Sequence, residues 1–152
     1  MDNIDQKAVV TVLNKIMEQE LAGVVRYTHY SLMVYGFGRI PIVSWLREQA
    51  TESLGHAQAA GELITTLDGH PSLSIGPLLD NHSTSIAEIL NESLQTEAQA
   101  LSLYHQLLGL VRDRSVSIEE YARSMIAAEE IHAGEVRKML KTSGGSGTRA
   151  KS

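Results

Sequence analysis

The chain has 152 residues, of which 43% are hydrophobic and 20% are charged, so it can bury one good core but is too short for two. Without cysteine it can form neither disulfides nor a thiolate metal site, and its formal charge of −5 argues against a nucleic-acid-binding body. No apolar run reaches the roughly 18 residues of a membrane span, and the first residues lack a signal-peptide pattern, so we expect a cytoplasmic protein without a membrane partner.

Four long helices are predicted in chain order, separated by breaks that are rich in glycine, proline and aspartate. Pro41 suits the first turn of the second helix. Ser85 with Glu88 reads as a capping box at the start of the third helix, and Ser117 with Glu120 as another at the start of the fourth. The predicted helices span residues 5–35, 41–68, 84–112 and 117–142.

The last ten residues differ in composition from the rest of the chain. Residues 143–152 are rich in glycine and serine and have no apolar face to bury, so we predict a flexible tail after a bundle domain over residues 1–142. Arg149 and Lys151 are too few to bind DNA well at physiological salt. DNA is therefore not an expected partner.

The lengths of the connections predict the topology of the bundle. Short connections near residues 36–40 and 113–116 make the helices that they join antiparallel neighbours. The middle connection has about 14 residues, which at up to ~3.4 Å each can run back along a helix of roughly 42 Å. We therefore predict an all-α, up-down-down-up four-helix bundle with one long crossover between helices two and three. An ordinary up-down bundle is the alternative.

Each predicted helix carries acidic or imidazole side chains in the row that should face the core. Glu20, for example, follows Leu13 and Met17 at helical spacing, where another apolar residue is expected. Burial of a lone carboxylate costs several kcal/mol, so four helices would not each place such a group at one depth unless the groups share a cation. The candidate metal ligands are Glu20, Glu52, His56, Glu97, Glu129 and His132.

A pair of iron ions suits this set of ligands. Two ferrous ions bring about four positive charges and bind carboxylate oxygens, with one imidazole on each metal. Glu129 and His132 have the i, i+3 spacing found in di-iron carboxylate bundles, and Glu20 and Glu97 would supply bridging carboxylates. The spacing does not distinguish iron from manganese or zinc. A single buried Glu–His pair is also commonly structural.

Several short motifs between residues 5 and 140 occur together in one known family. They are Leu13-Asn14-Lys15, Gln19-Glu20-Leu21, Arg26-Tyr27, His56-Ala57, Gly69-His70-Pro71-Ser72-Leu73, Glu97 and Glu129-Glu130-Ile131-His132. With these motifs the sequence resembles the bacterioferritins of the ferritin superfamily. The resemblance implies a ferritin-like bundle that stores iron in a hollow homo-oligomeric shell. It also implies a ferroxidase centre in each subunit, an oxidoreductase site that oxidises ferrous iron with peroxide or dioxygen.

One family ligand has no direct match. Glu20, Glu97, Glu129, His56 and His132 correspond to family ligands, but the expected glutamate three residues before the second-helix histidine is a serine, residue 53. Viewed down the helix axis, position 53 lies on one side of His56 and Glu52 lies on the other. We expect positions 52 and 53 both to face inward. Glutamate 52 could bind directly, or through a π-bulge near residue 55. Without the carboxylate of Glu52, one of the two iron ions would bind weakly.

Two further departures concern haem and the shell. Leu54 stands where the family has its haem-binding methionine, so no haem is expected. The Gly/Ser-rich end replaces the fifth helix of the larger bacterioferritins, which favours a 12-subunit shell like that of the Dps mini-ferritins over one of 24. A Dps-type inter-subunit centre is not supported, because His29 has no histidine partner near residue 41.

Other functions of the same fold stay open. The chain could be a non-catalytic shell subunit, alone or mixed with an active paralogue, a Dps-like protein that protects against peroxide, or another di-iron or di-manganese enzyme such as a peroxidase or catalase. Tyr27 and Tyr104 could orient ligands or simply pack in the core. If the imidazoles bind metal, activity should fall below about pH 6, because protonated histidine cannot coordinate.

Overall fold

The computed structural model describes residues 3–141, which form four α-helices and no β-strand. The predicted flexible tail at 143–152 lies outside the described residues. Helix α1 packs against α2 and α3, and α3 packs against α4. The helices are α1 (Gln6–Met33), α2 (Arg39–Thr66), α3 (Ile86–Val111) and α4 (Val116–Leu140).

Side-chain caps mark the starts of α1, α3 and α4, whereas α2 starts after Gly38 without one. The Ser85 hydroxyl accepts a hydrogen bond from the backbone N–H of Glu88, so Ser85 is the N-cap of α3 as predicted. The reciprocal half of the capping box is replaced by Ser83, whose hydroxyl donates to the Glu88 carboxylate and accepts from the backbone N–H of Ser85.

The predicted cap of α4 at Ser117 is wrong. The N-cap is Ser115, which is buried and accepts from the backbone N–H of Ile118. The earlier hydroxyl satisfies the free N–H groups of the first turn, so the helix starts there.

The crossover begins beside the N-terminal part of α1. The Asn14 side chain donates to the backbone oxygen of His70 (3.1 Å) and accepts from the backbone N–H of Ser72 (2.7 Å). At Gly69 an added Cβ would lie 2.8 Å from a methyl carbon of Val10, so this close approach requires glycine. The two hydrogen bonds of Asn14 thus hold the start of the crossover against α1.

The crossover then follows α1 to its other end. The Gly76 backbone N–H donates to the backbone oxygen of Glu18 (2.8 Å), and that of Tyr35 donates to the backbone oxygen of Thr84 (3.0 Å). Helix α3 therefore starts beside the end of α1, and it runs parallel to α2. This path confirms the up-down-down-up topology and excludes the simple up-down bundle.

The core consists of two apolar clusters with a polar layer between them. The larger cluster surrounds Leu13 and Tyr104, and the smaller one surrounds Tyr27 and Leu46. On each helix the candidate ligands lie between or beside these clusters along the chain. Packing at both ends of the bundle therefore holds the polar layer at mid-height. Within residues 3–141, no helix combines the length and the apolar character needed to cross a bilayer.

Candidate metal centre

The polar layer contains a small cavity between α2, α3 and α4. Its volume is about 50 Å³, enough for one or two ions but too little for an organic cofactor. Five of the six candidate ligands line it. The sixth, Glu20 on α1, has a carboxylate oxygen within 4.8 Å of ligand atoms of His56 and Glu129. The lining residues are Gln49, Glu52, Ser53, His56, Glu97, Ala128, Glu129 and His132.

Three of these side chains form a tight cluster. One ligand atom each from Glu20, His56 and Glu129 lies within 4.8 Å of the others. Nδ1 of His56 is 3.5 Å from Oε2 of Glu20, and both glutamates are buried, at 4% and 6% exposure. Ligand atoms about 2.0–2.2 Å from one metal ion lie no more than about 4.4 Å apart, so this cluster is close to the size of a metal site.

A second group lies across the cavity. Nε2 of His132 is 3.7 Å from Oε2 of Glu97, and the indole of Trp45 stacks on the His132 ring with an interplanar angle of 7°. The Tyr27 hydroxyl donates to Glu97 (2.5 Å) and lies 3.4 Å from Nε2 of His132. Stacking and hydrogen bonding thus orient this imidazole–carboxylate pair, and each half of the centre has one imidazole.

Each half also has a tyrosine that donates to a carboxylate. Tyr104 on α3 donates to Oε2 of Glu20 (2.7 Å), as Tyr27 does to Glu97. Burial and the neighbouring carboxylates raise the pKa of both phenols, so each remains a hydrogen-bond donor at neutral pH. These bonds hold the carboxylates in place.

Glu129 is the most strongly perturbed acid. Burial, and next the negative charge of Glu97, raises its pKa to about 10. Its Oε1 is buried, and no hydrogen-bond partner for it exists among residues 3–141. A buried carboxylate oxygen without a partner is costly, and a cation would remove both the orphaned oxygen and the repulsion between acids. The donor set therefore fits a pair of divalent ions.

The pKa of His56 is raised as well, chiefly by a neighbouring carboxylate. Its hydrogen bond to Glu20 raises the pKa of the imidazole, and burial opposes that effect only in part. In the metal-free protein this histidine therefore holds a proton to a higher pH than an ordinary histidine does. A metal ion at the centre must displace that proton.

Glu52 and Ser53, which were both expected to face inward, differ in burial: Ser53 is buried, whereas Glu52 is exposed although it lines the cavity. Ser53 is 6% exposed, and its Oγ would lie 2.9 Å from a Cβ added to Gly23 on α1. Helix α2 is regular throughout, without the π-bulge considered near Gly55. Because successive residues are rotated by 100°, packing of Ser53 against α1 turns Glu52 toward solvent, at the edge of the cavity.

Gln49 and Trp45 border the candidate centre although they were not among the predicted site residues. Gln49 is buried and lines the cavity, and Trp45 orients His132. Both lie on the same face of α2 as Ser53 and His56, because the successive spacings along these four residues are four, four and three. That periodicity is the signal that could have found them.

Leu54, which occupies the position of the family's haem-binding methionine, is 42% exposed on the outside of α2. It therefore lies away from the polar layer.

Solved structures with the same fold include proteins from several bacteria, although no curated protein gives a significant match. A ferritin-like di-iron-carboxylate protein from Bacillus anthracis is 24% identical, covers 93% of this chain and 100% of its own, and has a TM-score of 0.83. A dodecameric thioferritin related to bacterioferritin, from Bacteroides fragilis, is 22% identical over 90% of this chain and 86% of its own, with a TM-score of 0.81.

The bacterioferritin of Rhodobacter capsulatus, a protein described with a dinuclear site and a haem iron, is 27% identical. The match covers 91% of this chain and 85% of that protein, with a TM-score of 0.77. The model of the ferritin-like domain matches residues 10–143, which is most of the chain. The all-α bundle, its long crossover and this match agree, and the chain belongs to the ferritin-like family.

Proposed function

We propose that this protein is a ferroxidase that stores iron, oxidising ferrous ions at a dinuclear centre inside each subunit. The observation that carries the proposal is the convergence of acids and imidazoles from all four helices on one cavity, with an orphaned buried oxygen on Glu129. Glu20, Glu97 and Glu129 would bridge or bind the two ferrous ions, and His56 and His132 would bind one ion each.

The reaction needs one electron from each ferrous ion. The two ions together supply two electrons, which reduce peroxide with two protons to water, or dioxygen with two protons to peroxide. The ferric products then hydrolyse and leave as mineral. The carboxylates of this chain would contribute the negative charge that favours ferric over ferrous iron.

Metal soaking tests the centre directly. Crystals soaked anaerobically in ferrous salt should give two anomalous peaks at the iron edge, one next to His56 and the other next to His132. In solution, two ferrous ions per subunit should bind and then oxidise rapidly when peroxide or dioxygen is added. A cavity that stays empty under these conditions contradicts the proposal.

Glu52 decides whether the centre has its full set of carboxylates. It is exposed, but it lies at the cavity edge, so a change of rotamer could bring its carboxylate to a metal ion. If it binds, Glu52→Ala should weaken ferrous binding at least about tenfold. Glu48→Ala is the matched control, because Glu48 is an exposed acid one turn earlier on α2 and does not line the cavity.

The exposure of Glu52 also favours a second candidate function, a non-catalytic shell subunit with a degenerate centre. In that case Glu52→Ala should leave iron oxidation unchanged and Ser53→Glu should increase it. If Glu52 already binds, Ser53→Glu should have little effect or be harmful. Because Ser53 is buried against Gly23, the unfolding transition of this variant must be measured alongside its activity.

Storage also requires a hollow homo-oligomer. Within residues 3–141, several large apolar side chains are exposed on the single chain, as expected for surfaces that subunits bury against each other. Native mass spectrometry and electron microscopy should detect a closed shell of 12 or 24 subunits. A monomer with peroxidase or catalase turnover would instead favour an enzyme of the di-iron or di-manganese class. The exposed side chains include Leu32, Tyr35, Phe37, Ile40, Leu73, Leu79 and Ile131.

A further inference from the structure

Two histidines that are far apart in sequence meet on the outside of the bundle. His29 is near the C-terminal end of α1, and His82 is on the crossover. Nε2 of His29 is 3.2 Å from Nδ1 of His82, and the ring centroids are 5.1 Å apart. The other ring nitrogen of His82, Nε2, is 3.0 Å from Oδ1 of Asp80. We call His29 and His82 the His29–His82 pair, and Asp80 is the carboxylate beside it.

The carboxylate determines which nitrogen of His82 is free. Asp80 can only accept at neutral pH, so the Nε2–H of His82 donates to it. In neutral His82 the lone pair is then on Nδ1, the atom that faces His29. A carboxylate that orients a histidine through its second nitrogen is the arrangement found behind most metal-bound histidines, where it fixes the tautomer and makes the ligand more basic.

The separation of the two facing nitrogens suits a shared ion. Two imidazole nitrogens bound to one tetrahedral zinc, at about 2.0–2.1 Å each, lie about 3.3–3.4 Å apart. In the metal-free protein the observed 3.2 Å is a hydrogen bond, in which Nε2–H of His29 donates to Nδ1 of His82, so a metal ion would replace that shared proton at a similar nitrogen–nitrogen separation. Imidazole is a preferred ligand of zinc, copper, nickel and cobalt, and less so of magnesium or calcium.

This location is separate from the candidate metal centre in the bundle. His29 follows Glu20 on α1 by nine positions, which is about two and a half helical turns and roughly 13–14 Å along the axis. The two side chains therefore leave opposite faces of the helix. Glu20 faces the bundle interior, whereas His29 faces the crossover.

The surroundings favour a cation and leave it room. The pair borders a cavity of about 300 Å³ whose lining includes the carboxylates of Asp80 and Glu92 and the guanidinium of Arg26. Two negative charges against one positive charge leave the cavity net negative while both histidines are neutral. The volume can hold several water molecules, which would complete the coordination of an ion that has two protein ligands.

We propose that His29 and His82 form a second metal site, which takes a divalent transition-metal cation of the zinc type. His29 Nε2 and His82 Nδ1 are its two protein ligands, Asp80 orients His82, and water fills the remaining positions. The site is independent of the proposed ferroxidase function, and either proposal can fail without the other.

Zinc itself is the probe. Crystals of the full-length protein soaked in a zinc salt should show an anomalous peak at the zinc edge within about 2.0–2.3 Å of both nitrogens. His82→Gln should abolish that peak and lower the zinc stoichiometry measured by calorimetry by one ion per chain. Asp80→Asn should keep the peak but weaken binding about 10- to 100-fold.

Two control variants separate this site from other zinc-binding groups. His105→Gln removes an exposed histidine on α3 that does not border this cavity, and it should leave the stoichiometry unchanged. Glu129→Gln alters the bundle centre and should leave the peak at His29 and His82 intact. A wild-type crystal without this peak, or a peak that persists in His82→Gln, overturns the proposal. Filling of the bundle centre alone overturns it too, and leaves the ferroxidase proposal standing.

Discussion

The Tyr104 hydroxyl on α3 donates a 2.7 Å hydrogen bond to Oε2 of Glu20 on α1. This bond fixes one carboxylate of the proposed centre before any metal binds. Tyr104→Phe should therefore weaken metal binding or slow iron oxidation about tenfold or more, the usual effect of losing a partner of a metal ligand. Chelator competition and stopped-flow oxidation would measure the two effects.

Tyr121→Phe is the matched control for that variant. Tyr121 packs edge-on against Tyr104 with a centroid distance of 6.2 Å, and its buried hydroxyl has no hydrogen-bond partner among residues 3–141. Its removal should leave metal binding unchanged and be neutral or slightly favourable for stability. Equal losses in the two variants would show that the Tyr104 effect comes from packing alone.

Glu129 should make the metal-free protein less stable as the pH rises. Its ordinary pKa is 4.5, and burial, with the charge of Glu97, raises it to about 10 in the fold. Between these values the folded chain keeps a proton that the unfolded chain has released, so the free energy of unfolding falls with increasing pH. Glu129→Gln should remove this loss and gain about 1–3 kcal/mol over wild type at pH 8.

Urea unfolding with a chelator present, from pH 5.5 to 8.5, measures this difference. The advantage of Glu129→Gln should grow with pH. Glu130→Gln is the control, because its exposed carboxylate lies one residue away on α4 and should show no such trend. A difference between Glu129→Gln and wild type that stays constant over this range would contradict the burial argument.

Metal affinity should fall in acid through His56. Its bond to Glu20 raises the pKa of the imidazole above 6.5, and the protonated ring cannot bind metal. Affinity should therefore begin to decrease at a higher pH than the value near 6 expected from sequence. Zinc competition with a chelator between pH 7.5 and 5.5 avoids the pH dependence of uncatalysed iron oxidation. An unchanged dissociation constant over that range would exclude His56 as a ligand.

The contact between Gly23 and Ser53 predicts a stability effect. An added Cβ at Gly23 would lie 2.9 Å from the serine Oγ and 3.3 Å from its Cβ. Helix propensity favours alanine by about 0.8–1.0 kcal/mol, but overpacking costs about 1–3 kcal/mol, so Gly23→Ala should give no gain or a net loss of up to about 2 kcal/mol. Thermal and denaturant unfolding measure the change.

Two comparisons test the packing explanation. Gly55→Ala on α2 meets nothing within 4 Å and should stabilise the protein by about the propensity difference of 0.8–1.0 kcal/mol. Ser53→Ala removes the closer of the two contacts, so Gly23→Ala should cost less in that background. If Gly23→Ala lowers the free energy of unfolding equally in wild type and in Ser53→Ala, the contact with the Ser53 hydroxyl does not cause the loss.

The bundle could be predicted because its determinants are local or simply geometric. Helical periodicity gave the elements, and the length of the crossover gave the direction of α3. The start of α4 was misplaced because Ser115 and Ser117 are equally good caps by residue type. Only the position of the hydroxyl near the N–H of Ile118 distinguishes them.

The candidate metal centre was harder to predict where it depends on contacts between helices. Glu20 and Glu129 interrupt apolar rows and were visible in the sequence. The orientation of Glu52 depends on how Ser53 packs against Gly23, which is a property of the α1–α2 interface. The His29–His82 pair could not be found from spacing, because the path of the crossover over α1 brings the two rings together.

The division of the core into two apolar clusters has a consequence for the rigidity of the subunit. Both ends of the bundle are held by ordinary hydrophobic packing, whereas mid-height contains buried acids, one of which keeps a proton and an oxygen without a partner among residues 3–141 when no cation is bound. If divalent ions bind there as proposed, the metal-free subunit should open most readily at mid-height, and metal binding should make that local opening rarer.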